Sequence, residues 1–305
     1  MEFRKPERSD KPLVDRYVLP CGERSNQHTF TTIYCFYDIF GDLIAEEDGW
    51  LFVMRSKLET ADAIRFMIPF GNYDDEPALR AAVEKLLRYA HERGKKAVFW
   101  YITESKKALL ERLFPDAFTY TEDRDLAQYI HETEQLVNLS GRVMHNRKVP
   151  LNRFYRTYGD RLEVRDITAD MVPEIRAFQA AWLADRLATV PDGTDLINED
   201  KCLQRAFDAF ETFNFLGLAF YIDGQLRGFG MGCGMSGDTF DTLCEKGDRE
   251  IEGIYRGLNH QMAKKCLGRF AFINRGEDMG DPGLREAKMQ YHPVCLLTVY
   301  GAFEK

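Results

Sequence analysis

Between Asn274 and Pro293 the chain gathers four acidic residues, three basic ones, a Pro-Gly pair and a His-Pro pair. Glu277, Asp278 and His292 are candidate proton acceptors. Arg285 and Lys288 lie three apart, on one face of a short helix, and could hold an anion. Asp281-Pro282-Gly283 reads as the start of that helix: an acidic cap, then a proline whose missing N–H is harmless in the first turn. The run Phe270-Ala-Phe-Ile273 just before reads as a buried strand. A strand end feeding a charged helix start is where mixed α/β folds place ligands, because backbone N–H groups are free there and the helix dipole favours anions. Such a set could hold an anion and pass a proton between a bound ligand and a carboxylate or imidazole.

Two further segments carry the same kinds of residue. Glu245-Lys246 sits at the expected end of a central strand, and Tyr255 and Asn259 fall four apart on the helix that follows. Arg142, His145, Arg147 and Lys148 form the densest basic cluster, suited to a phosphate-rich partner. Each has a plainer reading: a surface ion pair for Glu245-Lys246, core packing for Tyr255, helix capping for Glu277 and Asp278, a turn for His292, and solvated helix faces for the cations. His28, His91, His131 and His260 show no metal-ligand spacing, so no metal is expected. The glycines of Gly228-Phe-Gly-Met-Gly-Cys-Gly234 lie within a strand-like run. They therefore do not make the strand-to-helix turn of a dinucleotide site.

Taken in order, these segments resemble the bacterial phosphatidylglycerol lysyltransferase C-terminal domain family and its relatives (DUF2156). The family pattern is a strand, Asn-Arg-Glu-x-Asp-x-Gly, then Gly-Leu-Arg-x-x-Lys and Tyr-x-Pro. Here it reads Asn274-Arg275, Glu277-Asp278, Gly280, Gly283-Leu284-Arg285, Lys288 and Tyr291-His292-Pro293. Gly276 stands where an acidic residue is common. Thr133–Arg142 with His145, Arg147 and Lys148, and Glu245-Lys246-Gly247-Asp248 with Gly253–Arg256 and Asn259, are similar to two other family motifs. The likeness runs from about residue 20 onward. It implies tandem domains of the Gcn5-related acyltransferase (GNAT) type and a transferase that passes an amino acid from aminoacyl-tRNA to an acceptor. Glu245, Lys246, Glu277, Asp278, Arg285 and Lys288 become the candidate catalytic set. Arg142, His145, Lys148, Tyr255, Asn259, Asn274 and His292 become the candidate substrate-binding set. The partner expected is the 3′ end of aminoacyl-tRNA, with a small molecule or a lipid head group as acceptor and no permanently bound cofactor. The alternatives are a coenzyme A-dependent N-acyltransferase and a non-catalytic binding protein on the same fold. Coenzyme A users of this fold resemble one another in a Gln/Arg-x-x-Gly-x-Gly/Ala loop. The equivalent stretch, Asp248–Gly257, lacks that pattern and carries two glutamates that would repel a pyrophosphate.

The composition is compatible with this. The chain has 305 residues, 45% apolar and 30% charged, which is ordinary for a globular protein and long enough for two domains. Its net charge of −8 argues against broad nucleic-acid binding while leaving room for a local basic patch. Seven scattered cysteines without a Cys-x-x-Cys pair suggest free thiols and a cytoplasmic setting. No run is apolar enough to span a membrane and the charged start has no signal-peptide core, so the long membrane-embedded half of the lipid-modifying relatives is not expected here.

The elements that must position these residues read as two similar halves, an α+β (mixed α/β) arrangement. The first has a hairpin turn at Asp48-Gly49, strands at 50–54 and 64–68, and a helix over 76–93. Strand 97–102, helix 104–114 and a strand near 118–120 follow. The second has strand 162–167, helices over 171–187 and 199–213, and a hairpin turn at Asp223-Gly224. Strand 240–244, helix 253–267, strand 270–273 and a last strand over 295–300 complete it. Residues 133–160 read as a helical, polar connection. The expected domains are 1–155 and 156–305, the second holding the chemistry.

Overall fold

A computed structural model describes residues 1–305. The chain falls into two compact units: residues 1–128 with 277–280 and 297–305, and residues 129–276 with 281–296. Its strands in chain order are β1 (Asp42–Glu47), β2 (Trp50–Arg55), β3 (Ala63–Phe66), β4 (Lys96–Thr103), β5 (Phe118–Glu122), β6 (Gln128–Glu132), β7 (Leu162–Asp166), β8 (Leu216–Ile222), β9 (Gln225–Gly234), β10 (Thr239–Gly247), β11 (Phe272–Asn274), β12 (Cys295–Leu297) and β13 (Val299–Glu304).

The first unit is built on a six-stranded sheet of order β1-β2-β3-β4-β13-β5. Asp48 and Gly49 both take positive φ, 50° and 78°. This matches the right-handed twist of the β1–β2 hairpin they close. From β3 the chain crosses through the helix Glu76–His91 to β4, which runs parallel to β3. The Asp75 carboxylate caps that helix by accepting from the Ala78 N–H at 3.1 Å. Leu79, Val83, Leu86 and Ala90 recur at helical spacing and bury against Phe52, Phe66 and Phe99 of the sheet.

The second unit repeats this plan on a seven-stranded sheet of order β12-β6-β11-β10-β9-β8-β7. Asp223 and Gly224, again with positive φ, close the β8–β9 hairpin. The helix Ile254–Cys266 carries the chain from β10 to the parallel β11. Its apolar stripe of Ile254, Leu258, Met262 and Cys266 packs with Phe220, Phe240 and Ile273, and Phe154 of the helix Gly141–Tyr158 joins them. On the opposite face, Phe229 of β9 meets Phe178 and Phe207 of the helices Val172–Leu187 and Thr194–Asp208.

The repeated order of hairpin, third strand, crossover helix and parallel strand is the one read from the sequence. Two features differ. The stretch expected as one last strand over 295–300 is two: β12 lies at the edge of the second sheet, and β13 lies inside the first, antiparallel to both β4 and β5. The strand β6, unread in the sequence, lies in the second sheet between β11 and β12. The units therefore do not divide at 155/156. Strand pairing across hundreds of residues sets their membership, and local pattern carries no record of it.

Candidate functional site

In the second unit, β10 and β11 pair only through Thr239–Asp241 and Phe272–Asn274. Beyond Asp241, β10 continues to Gly247 while β11 has ended, so the sheet opens into a split. A register shift between Thr242 and Cys244 against β9 adds twist just inside it. Glu245 lies past this bulge, opposite Gly230. A Cβ built on Gly230 would come 3.6 Å from the Glu245 Cγ and 3.5 Å from Met262. Glu245 thus faces the side covered by the helix Ile254–Cys266.

Arg275, the first residue after β11, reaches Glu245 at 3.1 Å, with side chains only 14% and 11% exposed. One oxygen of the acid, Oε1, and one nitrogen of the base, Nη1, are buried without a protein hydrogen-bond partner. The Tyr291 ring lies 5.3 Å from the Arg275 guanidinium. His131 of β6, fully buried, stands edge-on to the same ring, with the Tyr291 backbone near its ring but no well-formed hydrogen bond to either ring nitrogen. Burial first, and the nearby Arg275 and Lys288 cations next, hold the His131 imidazole down at about 3. It is neutral across the physiological range. This group of a carboxylate, a guanidinium, a neutral imidazole and a phenol is what the split gathers.

Lys246 points the other way, because successive strand residues alternate faces. Its ammonium is buried, 2.6 Å from Glu199 and 4.0 Å from the Trp182 ring centre. The Trp182 indole N–H donates to the Tyr255 hydroxyl at 3.1 Å, which donates to the Gly247 carbonyl at 3.2 Å. Lys246, Trp182 and Tyr255 thus tie three helices, Val172–Leu187, Thr194–Asp208 and Ile254–Cys266, to the end of β10. Asn259 is buried in the helix Ile254–Cys266, and Asn274 accepts the Gly276 N–H at 2.7 Å to shape the turn after β11. Arg285 and Lys288 are half-buried on the helix Pro282–Met289, with Lys288 5.7 Å from the Tyr129 ring centre. Asp281 caps that helix through the Gly283 and Leu284 N–H groups at 2.7 and 2.9 Å, as its sequence indicates. His292 is exposed in a left-handed turn.

Arg142, His145 and Lys148 are exposed on the helix Gly141–Tyr158. That helix holds Arg142, Arg147, Lys148, Arg153 and Arg156 and no acidic residue, a local reversal of the chain's negative balance.

The start of the helix Ile254–Cys266, where an anion could sit, is occupied. The Glu250 N–H donates to the Asp248 carboxylate at 2.9 Å, and the Ile251 and Ile254 N–H groups go to backbone carbonyls. The Phe154 ring covers the turn: a Cβ on Gly257 would fall 2.5 Å from it and one on Gly253 3.6 Å. A small cavity remains beside it, with Arg153, Glu252 and Arg256 in its wall.

Glu277 and Asp278 belong to the first unit. Asp278 is fully buried; it meets Arg124 at 3.0 Å and accepts the Gly280 N–H at 3.0 Å. Glu277 accepts from the side-chain amides of Asn26 and Gln27, both at 3.2 Å. Arg275, His131 and Tyr291 were outside the candidate set read from the sequence. Arg275 could have been found, since it stands in the Asn274-Arg275 motif; nothing local marks His131.

The paired mixed sheets, each with a crossover helix between its parallel strands, are the tandem Gcn5-related acyltransferase fold. Residues 21–303 match the family described as phosphatidylglycerol lysyltransferase, C-terminal, and the chain belongs to that family. A conserved protein of unknown function from Bacteroides thetaiotaomicron is similar over 100% of both chains, at 28% identity and a TM-score of 0.92. L-PGS from Bacillus licheniformis is similar over 90% of this chain and 91% of its own, at 14% identity and a TM-score of 0.61. FemX is similar over 100% of this chain and 98% of its own, at 9% identity and a TM-score of 0.65. No curated protein matches the chain in sequence. No helix is long and apolar enough to cross a membrane.

Proposed function

We propose that this protein transfers an amino acid from aminoacyl-tRNA to an amine or hydroxyl acceptor, with the chemistry in the second unit. The observation that carries this reading is the Glu245–Arg275 pair at the β10–β11 split, each member keeping a buried polar atom that no protein group satisfies. The acceptor's nitrogen or oxygen attacks the ester carbonyl carbon, and its proton passes to Glu245 Oε1. The oxyanion forms against Arg275 Nη1. Collapse breaks the bond to the ribose oxygen, which leaves with the proton held by Glu245. His131, neutral, can donate or accept one hydrogen bond without adding charge. Arg285 and Lys288 counter negative charge on the donor. The acid-free helix Gly141–Tyr158 docks the tRNA backbone through Arg142 and Lys148. In the first unit, Glu277 is the carboxylate suited to a substrate ammonium. The acceptor, a small molecule or a lipid head group, stays open.

The occupied amides and the Phe154 ring at the start of the helix Ile254–Cys266 weigh against a coenzyme A donor, whose pyrophosphate needs free N–H groups there. Purified protein with labelled aminoacyl-tRNA tests the proposal. Binding at low salt and transfer of label to an acceptor amine support it; intact ester with no binding rejects it. A thermal-shift series with acyl-coenzyme A is the counter-test, since a ligand well above its dissociation constant raises the melting temperature. If aminoacyl-tRNA binds but neither wild type nor Glu245→Gln transfers label, the fold serves as a binding module only.

A further inference from the structure

Behind Glu277 the first unit buries a chain of polar groups that leads away from the surface. Asp42, the first residue of β1, and Arg55, the last of β2, are cross-strand partners, both with 0% exposed side chains and 3.3 Å apart. Removing two opposite charges from water is expensive, and an apolar pair of the same volume is often as stable. The Arg55 guanidinium moreover lies over two rings, Phe40 at 4.2 Å and Tyr101 at 4.9 Å. Tyr101 takes φ of 58° within a strand, a conformation that is strained for a bulky residue and persists only when its surroundings fix it.

The Arg55 Nη2 donates to Gln27 Oε1 at 2.9 Å, and Gln27 Nε2 donates to Glu277 Oε1 at 3.2 Å. An amide side chain has one accepting end and one donating end. A guanidinium can only donate, so it fixes which end of Gln27 it meets and leaves the donating end for Glu277. Were the amide turned over, two donors would oppose each other and two acceptors would oppose each other.

We infer that Asp42 and Arg55 are positioning residues, which lock the Gln27 amide so that its N–H groups hold the Glu277 carboxylate in one orientation for a cationic substrate group. The inference deepens the proposed function and rests on it for the identity of the cation; the relay itself stands on the geometry alone.

The Gln27 side-chain amide, followed by nitrogen–proton NMR in the full chain, tests the relay without any activity. In wild type its two N–H groups give one fixed pair of signals that exchanges slowly with water. The double variant Asp42→Asn/Arg55→Met keeps Gln27 but releases its amide, and speeds that exchange at least about tenfold. Glu277→Gln removes the acceptor at the other end, and adding it to the double variant speeds the exchange no further, the mark of groups acting in series. If the double variant does not fold, Arg55→Gln is measured in its place, because a side chain that can also accept no longer dictates which end of Gln27 it meets. A Gln27 amide as protected in the Arg55 variant as in wild type overturns the relay. If wild type transfers an amino acid, Gln27→Leu and the Arg55 variant raise the KM in the same proportion and leave kcat near wild type. A wild type that transfers nothing sinks the proposed function and leaves the NMR result standing.

Discussion

Replacing Arg275 by methionine separates a structural ion pair from a working one. The Glu245–Arg275 contact is 3.1 Å long, with side chains 11% and 14% exposed, so solvent screens it little. Arg275→Met strands a buried carboxylate, which costs about 3–5 kcal/mol. It also loses the contact with the Tyr291 ring at 5.3 Å, about 0.5–1 kcal/mol more. Replacing both members, Glu245→Leu with Arg275→Met, removes the stranded charge along with its partner and restores stability to within about 1 kcal/mol of wild type, or above it. Urea unfolding of wild type, both single variants and the double variant gives the four corners of the cycle. Aminoacyl transfer by the same four gives the functional side: the stable double variant loses at least about a hundredfold, the usual contribution of a positioned proton acceptor. A double variant as unstable as Arg275→Met, or one that transfers at the wild-type rate, refutes the assignment of this pair to the chemistry.

Acidification should destabilise the chain. Burial holds His28 at about 4 and His131 at about 3, below the ordinary value near 6.5. The unfolded chain therefore binds protons that the folded chain refuses, and this contribution is complete above pH 6.5 and lost as pH falls through that window. Burial raises Asp42 to about 6, which works in the opposite sense between pH 6 and 3.8. Between pH 7 and 5 each histidine loses about 2 kcal/mol and Asp42 returns about 1, a net loss of roughly 2–3 kcal/mol. Melting curves at the two pH values that coincide would contradict this. Gly257→Ala drives a methyl group into the buried Phe154 ring at 2.5 Å, and should cost about 1–3 kcal/mol by overpacking; urea midpoints read it. Arg142→Glu with Lys148→Glu, both on exposed positions, should leave the melting temperature unchanged, weaken aminoacyl-tRNA binding and lower its salt slope by about one to two. Equal slopes would remove this helix from the tRNA contact.

The sequence by itself determined the local elements and the family. The Asp48-Gly49 and Asp223-Gly224 turns need positive φ at both positions, and the two hairpins stand where those pairs fall. The stripes of the helices Glu76–His91 and Ile254–Cys266 follow from apolar spacing alone, and the Asp281 cap from a carboxylate one residue before proline. Each of these is written within a few residues. Tertiary structure decided everything that depends on partners far along the chain. It gave Glu245 and Lys246, adjacent in sequence, to opposite faces of one sheet. It joined Glu245 to Arg275 across the split, put β13 inside the first sheet, and set Arg55 behind Gln27 and Glu277. It also turned Asp278 and Asn274 to shaping the loop that follows β11. Such pairings arise when strands separated by a hundred residues or more choose their neighbours. A charge has no local signature that says whether it will meet water, a ring or an opposite charge.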